Sequence, residues 1–312
     1  MSEVIMEASI SVVIPTHNRP EGLVRSLDSI LNQTVMPEQV VIVDDGSTPS
    51  VSVDVFAAFP DSVRCTLLRN EKPQGGNNAR NKGIMAAEGK YVAFLDDDDQ
   101  FKPEKVEVLK REISLNLGFD VFYHSAHIHM LNEGVSYYSK ICRFDEKELF
   151  RALLVQNRIG GTPMVTVRKK ALIDVGLFDE GMPALQDYEL WLRLAKNGFR
   201  FFFIETALTD YYYETKKSSV SKSIDVNEVA IGLIEKKFSE DYKLLSRSEK
   251  KEYECWKRRK LVHKSLLNGS CFKALRYQFY LLMFSPSFAN FIPLLVIPLG
   301  PKMVFKLKAK AG

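Results

Sequence analysis

The sequence predicts an α/β fold: a mixed, mainly parallel central sheet with helices on both faces, followed by a helical C-terminal extension. Three observations carry that prediction. The first hundred of the 312 residues alternate β-branched runs with amphipathic stretches, and strand–helix alternation builds parallel sheets covered on both faces. Three of the strand-like runs end in polar, charged or glycine-bearing clusters, the place where such sheets hold ligands. From residue 222 the pattern turns helical and basic.

The elements follow in order. Residues 10–14 (ISVVI) form a buried-strand pattern stopped by Pro15. Residues 21–31 put Leu23, Leu27, Ile30 and Leu31 on one helical face. Residues 40–43 (VVIV) read as a second buried strand running into Asp44-Asp45-Gly46-Ser47, and 65–68 as a weaker third. Residues 77–87 read as a helix with Gly89 as its stop, and 91–95 (YVAFL) as a fourth strand ending in four aspartates. Beyond about 119 the texture is mixed. Strands are expected at 121–130, 135–138 and 199–204, and helices at 146–154 and 187–197. Residues 222–284 read as helical, with Gly269 as the break.

Composition narrows the classes. At 46% apolar and 26% charged the chain is globular, which excludes disorder, collagen and disulfide scaffolds. The formal charge is only +4, yet residues 241–312 hold fifteen Lys/Arg against four Asp/Glu. An acidic body with a basic tail implies an anionic partner for the tail. No nucleic-acid partner is expected. The four cysteines are scattered without a C-x-x-C pair, so neither zinc nor disulfides are indicated and a cytoplasmic setting fits. The N-terminus carries Glu3 and Glu7 before a short apolar run, unlike a signal peptide.

Four constellations could carry chemistry. Asp96-Asp97-Asp98-Asp99 would repel one another unless a cation or solvent relieves them. A hard divalent ion shared with substrate phosphates would do so, and a solvated acidic turn before a helix led by Pro103 is the other reading. Asp45 could accept from a base or ribose while Gly46 lets the backbone approach; D-G-S is equally good Asx-turn chemistry. Residues 74–83 (QGGNNARNKG) join a glycine-rich entry to a helix bearing Arg80 and Lys82. That suits a phosphate-bearing ligand but matches neither the P-loop nor the Rossmann fingerprint. Asp187 opens the helix that carries Trp191, either as a cap or as a general base beside an aromatic. His124, His127 and His129 lack a third ligand in proper geometry, so they read as packing or polar surface.

Together these residues resemble glycosyltransferase family 2, over residues 9–221. The matching stretches are SVVIPTHNRPEGLVRSLDSILNQT, VVIVDDGS, GGNNARNKGI, YVAFLDDDD, GGTPMVTVRKKALIDVGLFDE and DYELWLRLAKNGFRF, in the family's order and spacing. The resemblance implies the GT-A fold, with a catalytic domain over 1–221, divided into a nucleotide-sugar half (1–118) and an acceptor half (119–221). A basic, membrane-associated region would follow at 222–312.

It also implies site residues. Pro15, Thr16, Asn18 and Arg19 would line the nucleotide pocket. Asp45 would bind the base, commonly uracil, and Arg80 would lie near phosphate or base. Asp96 and Asp97 would sit near ribose and sugar, with Asp98, assisted by Asp96, on Mn²⁺ or Mg²⁺. Asp187 matches the catalytic base, and Gly161, Thr162 and Trp191 would border the acceptor. The family's E-D pair reads Gln186-Asp187 here, and Thr215 stands where many members carry a histidine, leaving a Tyr or Lys216 as a diphosphate contact.

The implied reaction is an inverting transfer of a hexose or N-acetylhexosamine from a nucleotide-diphosphosugar, UDP-linked, to a saccharide acceptor. The acceptor is expected to be lipid-linked, in O-antigen, capsule or exopolysaccharide assembly. A sugar-phosphate nucleotidyltransferase needs similar groups, but PTHNRP stands where its basic glycine-rich signature would fall. A non-catalytic sugar- or lipid-binding module would not need both metal and base candidates. Between Tyr277 and Pro301 there is no charged residue, and lysines flank the stretch. Pro286, Pro293 and Pro298 interrupt it, which favours an interfacial segment on an anionic membrane surface over a spanning helix. A tail packed on the catalytic domain is the other reading.

Overall fold

The structure, a computed structural model, describes residues 8–139, 141, 143, 145, 147–214 and 224–311. Glu3, Glu7, Cys142, Glu146, Thr215, Lys216 and the 221/222 boundary lie outside the described residues. The strands are β1 (Ile10–Thr16), β2 (Gln39–Asp45), β3 (Arg64–Asn70), β4 (Tyr91–Phe94), β5 (Gln100–Phe101), β6 (Val121–Met130), β7 (Val135–Tyr138), β8 (Val165–Arg168) and β9 (Phe201–Tyr213). They form one sheet in the order β3-β2-β1-β4-β8-β6-β9-β5, with β7 paired to β6. The half β3-β2-β1-β4 is parallel. β8 is antiparallel to β4 and β6, and β9 returns parallel to β6.

Helices α1 (Pro20–Leu31), α2 (Gly76–Ala86) and α3 (Lys105–Leu115) cover the parallel half. Leu23, Leu27 and Ile30 of α1 are buried with Val12, Ile14 and Val40 on one face of the sheet. Ala79 and Ile84 of α2 are buried with Val13 and Val43 on the other. The all-apolar strands therefore have helices on both sides, as their unbroken β-branched runs require.

Further along come α4 (Leu149–Val155), α5 (Lys169–Asp174) and α6 (Gln186–Lys196). The expected helical region resolves into α7 (Ile224–Lys237), α8 (Ser239–Lys243), α9 (Arg247–Leu267), α10 (Cys271–Phe284), α11 (Phe288–Val296) and α12 (Pro301–Ala311). Gly269, left-handed at φ 70°, does separate α9 from α10. These helices share the core of the mixed half: Ala230, Trp256, Leu267, Ala274, Ile297 and Phe305 belong to the same buried cluster as Tyr188 and Val165.

Two expectations change, over Gly89 and the strand at 199–204, while the uncharged stretch is interrupted as its prolines predict. Gly89 is not the stop of α2, which ends at Ala86. A Cβ on Gly89 would lie 2.6 Å from the Ser11 nitrogen and 2.9 Å from the Ile10 carbonyl carbon, so close backbone approach to β1 demands the glycine. The strand expected at 199–204 runs on to Tyr213, because residues 205–213 pair with β6 beyond a register shift at His124–Ala126. The uncharged stretch is broken among α10, α11 and a 3₁₀ turn at Ile297–Leu299. No helix among the described residues is long and apolar enough to cross a membrane.

Candidate functional site

The carboxyl ends of β1, β2 and β4 open into a cleft of about 1790 Å³. One wall of it is assembled from strand-end residues. Asp44 serves the turn: it accepts from Ser47 N at 2.8 Å and Val51 N at 3.1 Å and pairs with Arg69. Burial works against its ionisation, but the Ser47 bonds first, then Val51 and Arg69, hold the carboxyl below its usual range. Asp45 faces the cleft and takes the backbone N–H groups of Gln74 and Gly75, each at 2.8 Å. Gly46 between them is left-handed (φ 72°), and a Cβ there would meet Pro73 N at 2.8 Å. Asp44 is thus the turn residue of D-D-G-S, while Asp45 borders the cleft.

Pro15, Thr16 and Arg19 line the cleft. Asn18 does not. It sits at φ 51°, accepts from Thr48 N at 2.8 Å and donates its own backbone N–H to Ser47 Oγ at 2.9 Å. Its short amide suits the left-handed backbone, so it braces the loop and is no pocket wall. Sequence reading passed over His17, which lines the cleft with Nδ1 2.7 Å from the Asp45 carbonyl.

The aspartate run is wired by cations. Arg19 donates to Asp97 Oδ1 at 2.9 Å and Asp98 Oδ2 at 2.7 Å, and Thr16 Oγ1 to Asp97 Oδ2 at 2.8 Å. Arg80 pairs with Asp96, whose other oxygen accepts from Thr162 Oγ1 at 3.2 Å. Lys82 turns away to the Arg69 carbonyl at 2.6 Å. Asp99 faces inward and fixes Tyr212 N at 2.9 Å, tying β9 to the cluster; its buried second oxygen has no hydrogen-bond partner among the described residues.

Burial pushes the Asp97 carboxyl up to about 6 against the pull of Arg19. Burial and Asp96 raise Asp98, and burial and Asp98 raise Asp99 well above the usual range. Burial and mutual repulsion thus oppose ionisation of these three carboxyls even beside Arg19, and a divalent cation would favour their charged form. Asp98, half-exposed to the cleft, is the best-placed ligand. Asp96 fits less well because both its oxygens are engaged. Among the described residues no group of three His, Cys, Asp or Glu could hold a metal; one or two carboxylates completed by substrate phosphates need no such group. His124 is buried, His127 meets the Tyr138 ring at 5.4 Å and His129 pairs with Asp210 at 2.7 Å.

Asp187 lies at the start of α6, behind Leu185, which is left-handed at φ 57° without being glycine. Such strain is held in place where a site needs it. Asp187 Oδ1 accepts from Tyr188 N at 2.7 Å. Burial raises its carboxyl, opposed by Lys260, Arg80 and Lys264 in turn. Burial opposes the Arg80 charge, while Asp96 first and then Asp187 favour it. Gly161 and Thr162 line the cleft. A Cβ at Gly161 would come 3.2 Å from the Tyr211 ring and 3.7 Å from Asp187 Oδ2, so the glycine keeps space beside the carboxylate.

Trp191 corrects the sequence reading. It is fully buried and donates Nε1 to the Gly160 carbonyl at 3.1 Å. One helical turn beyond Asp187, it falls on the core face of α6 and shapes the Gly160-Gly161 loop from behind. The tryptophan that does line the cleft is Trp256 of α9. Beside it stand Arg259, Lys260, His263 and Lys264, with Lys273 of α10, Lys308 of α12, and Tyr211 and Tyr213 of β9. This wall was missed. Its signal was the spacing of Trp256, Lys260 and Lys264, which share one helical face, while Lys257 and Arg258 point to Glu254 and Glu235.

Residues 11–176 match the family described as Glycosyl transferase family 2. The chain is 32% identical over 300 residues to an uncharacterized glycosyltransferase of Haemophilus influenzae, covering 96% of this chain and 98% of the relative. It is 28% identical over 231 residues to the amylovoran biosynthesis glycosyltransferase AmsB of Erwinia amylovora, covering 70% of this chain and 75% of that one. Among solved structures, S. aureus TarS 1–349 in complex with UDP-GlcNAc is similar in fold, with a TM-score of 0.52 at 17% identity, covering 93% of this chain and 90% of TarS 1–349. The sheet and its covering helices have the GT-A architecture.

Proposed function

The chain belongs to glycosyl transferase family 2, and we propose that it transfers a hexose or N-acetylhexosamine from a UDP-linked donor to a saccharide acceptor in bacterial surface-polysaccharide assembly, with inversion. The observation that carries this reading is a single cleft lined both by the Asp96–Asp98 run, with Arg80 paired to Asp96, and by Asp187, so that a donor wall and a base candidate face the same space. The UDP-GlcNAc complex of TarS and the exopolysaccharide role in AmsB's name support the donor and pathway class.

In this reading the donor diphosphate lies over Asp96–Asp98 and the uracil beside Asp45. Asp98 would hold Mn²⁺ or Mg²⁺, which supplies Lewis-acid neutralisation of the leaving diphosphate. Arg19 and Arg80 keep the carboxylates in register. Asp187, its carboxyl raised by burial and so more basic, takes the proton of the attacking hydroxyl, a contribution of about 10²–10⁴ in rate. A single in-line displacement inverts the anomeric carbon. The exposed apolar residues of α10–α12 include Phe272, Met283, Phe288 and Leu295, and the stretch that holds the last three is flanked by Arg276 on one side and Lys302 and Lys306 on the other. They support docking on the inner face of an anionic membrane, where a lipid-linked acceptor resides.

A panel of nucleotide sugars with Mn²⁺ tests the reading. The cognate donor should raise stability by about 2.7 kcal/mol at a hundredfold excess over Kd and yield sugar plus nucleoside diphosphate. Pyrophosphate release would mean nucleotidyl transfer instead.

A further inference from the structure

We infer that the acceptor carries a phosphate group and that a cationic wall built by α9, α10 and α12 binds it. The inference rests on the glycosyl-transfer reading and deepens it by naming the acceptor's chemistry. Arg259, Lys260, Lys264, Lys273 and Lys308 all line the cleft on the side of Asp187. Lys260 stands first among the cations acting on Asp187, so the wall begins at the base and extends away from it. His263 senses the same crowding. Burial, then Lys308, Lys264 and Lys260, keep its ring neutral.

The basic run around 257–264 is sorted by its helix. Lys257 and Arg258 are neutralised outside the cleft by Glu235 and Glu254. Among the described residues, Arg259, Lys260, Lys273 and Lys308 form no salt bridge, and Asp225 is the one carboxylate besides Asp187 lining this part of the cleft. Like charges drawn from three helices into one concave wall repel one another. Such a cluster is relieved by an anion with several oxygens. Lysine ammonium groups are point-charge phosphate binders, and a phosphate takes several of them where a single carboxylate would leave most uncompensated. The cations face the cleft, so the anion they meet is one that enters beside Asp187.

The test uses the full chain saturated with UDP and Mn²⁺, so that the donor wall is filled, and titrates inorganic phosphate by calorimetry. Lys273→Gln/Lys308→Gln lies away from Asp187 and should keep UDP affinity, donor hydrolysis and melting temperature. Its phosphate affinity should fall about tenfold or more, and Lys273→Arg/Lys308→Arg should retain it. Phosphatidylcholine vesicles with and without phosphatidylglycerol separate the sources. If vesicle binding is unchanged while phosphate binding falls, the group is borne by a soluble acceptor; if both fall, it is borne by a lipid. No phosphate binding in the wild type, or equal affinity in the glutamine variant, overturns the inference. So does a fall in vesicle binding alone, which would assign these lysines to the membrane. Wild-type protein that binds no UDP and hydrolyses no donor would instead sink the glycosyl-transfer reading.

Discussion

The two walls of the cleft handle charge in opposite ways. On the donor wall each carboxylate of Asp96–Asp98 already has a guanidinium partner, supplied by Arg19 or Arg80. On the acceptor wall Arg259, Lys260, Lys273 and Lys308 line the cleft with no salt bridge among the described residues. A prepaired wall holds its shape in the empty protein, and a ligand there exchanges one set of ionic contacts for another. An unpaired wall waits for its counter-charge, so electrostatic selectivity should be concentrated on the acceptor side. The walls also differ in origin. The donor wall grows from strand ends close in sequence, whereas the acceptor wall is brought to Asp187 by helices about residues 256–308.

The largest effect should come where the walls meet. Asn at position 187 keeps the bond from Tyr188 N but cannot take a proton. Asp187→Asn should therefore lower transfer by about 10²–10⁴ with stability held within about 1 kcal/mol and UDP affinity intact. Turnover and melting temperature on one preparation decide this. Near-normal turnover would return Asp187 to a helix-start role and make the joint between the walls structural.

Next comes the packing that carries the acceptor wall. Phe305 of α12 is 1% exposed and meets the His263 ring at 5.7 Å. Phe305→Ala should cost about 3–5 kcal/mol in denaturant unfolding. A loss below about 1 kcal/mol would mean that α12 is a loosely held tail and that its lysine does not belong to a fixed wall. A smaller effect is expected on the donor side. Asp98→Ala should remove the Mn²⁺ dependence of UDP binding, a loss of about 10–100-fold, while the apo protein stays within about 1 kcal/mol of its stability, because relief of carboxylate crowding offsets the lost Arg19 pair. Calorimetry with and without Mn²⁺ reads it, and unchanged affinity would take Asp98 out of the metal site.

The same contrast explains what the sequence discloses. β1, β2, β4 and β6 are legible because their apolar runs are local, and Asp45, Arg80 and Asp96–Asp98 because each follows a strand or opens a helix. Gly161 and Thr162 come through the family pattern. Trp191 misleads because it shares a helical face with Asp187, but one turn further along that face is covered by the core while Asp187 still borders the cleft. Asn18 misleads because its left-handed backbone turns the amide to Thr48. Gly89 looks like a helix stop, yet its role is steric and set by β1, eighty residues earlier in the sheet's construction. The basic run of α9 is visible as charge, but its division into a paired outer face and an open inner face depends on Glu235, Glu254 and the docking of α9 against α6. No local pattern encodes that docking.

The smallest effect sharpens how the acceptor wall is aimed. α9 begins with a capping box in which Ser246 and Glu249 bond reciprocally, and Glu249 also accepts from Arg151 Nη2 at 2.7 Å, tying the helix to α4. The Arg151 hydrogen bonds first, then Ser246, bring the Glu249 carboxyl down to about 2 from its usual 4.5. A carboxyl depressed in the folded state adds stability that is present above its unfolded value and is lost as pH falls through the folded one. Gln at the third helical position preserves the capping box but not the charge. Glu249→Gln should thus lower the melting temperature at neutral pH by about 1–3 °C, because the pair is exposed. The gap should shrink with added salt and close as pH falls from 4.5 toward about 2. Because α9 carries Lys260 toward Asp187, turnover should shift slightly in the same variant while UDP affinity does not. A melting-temperature gap that persists at the acid end would show that Glu249 acts through packing, and the ion pair to α4 would no longer count among the contacts that set the wall.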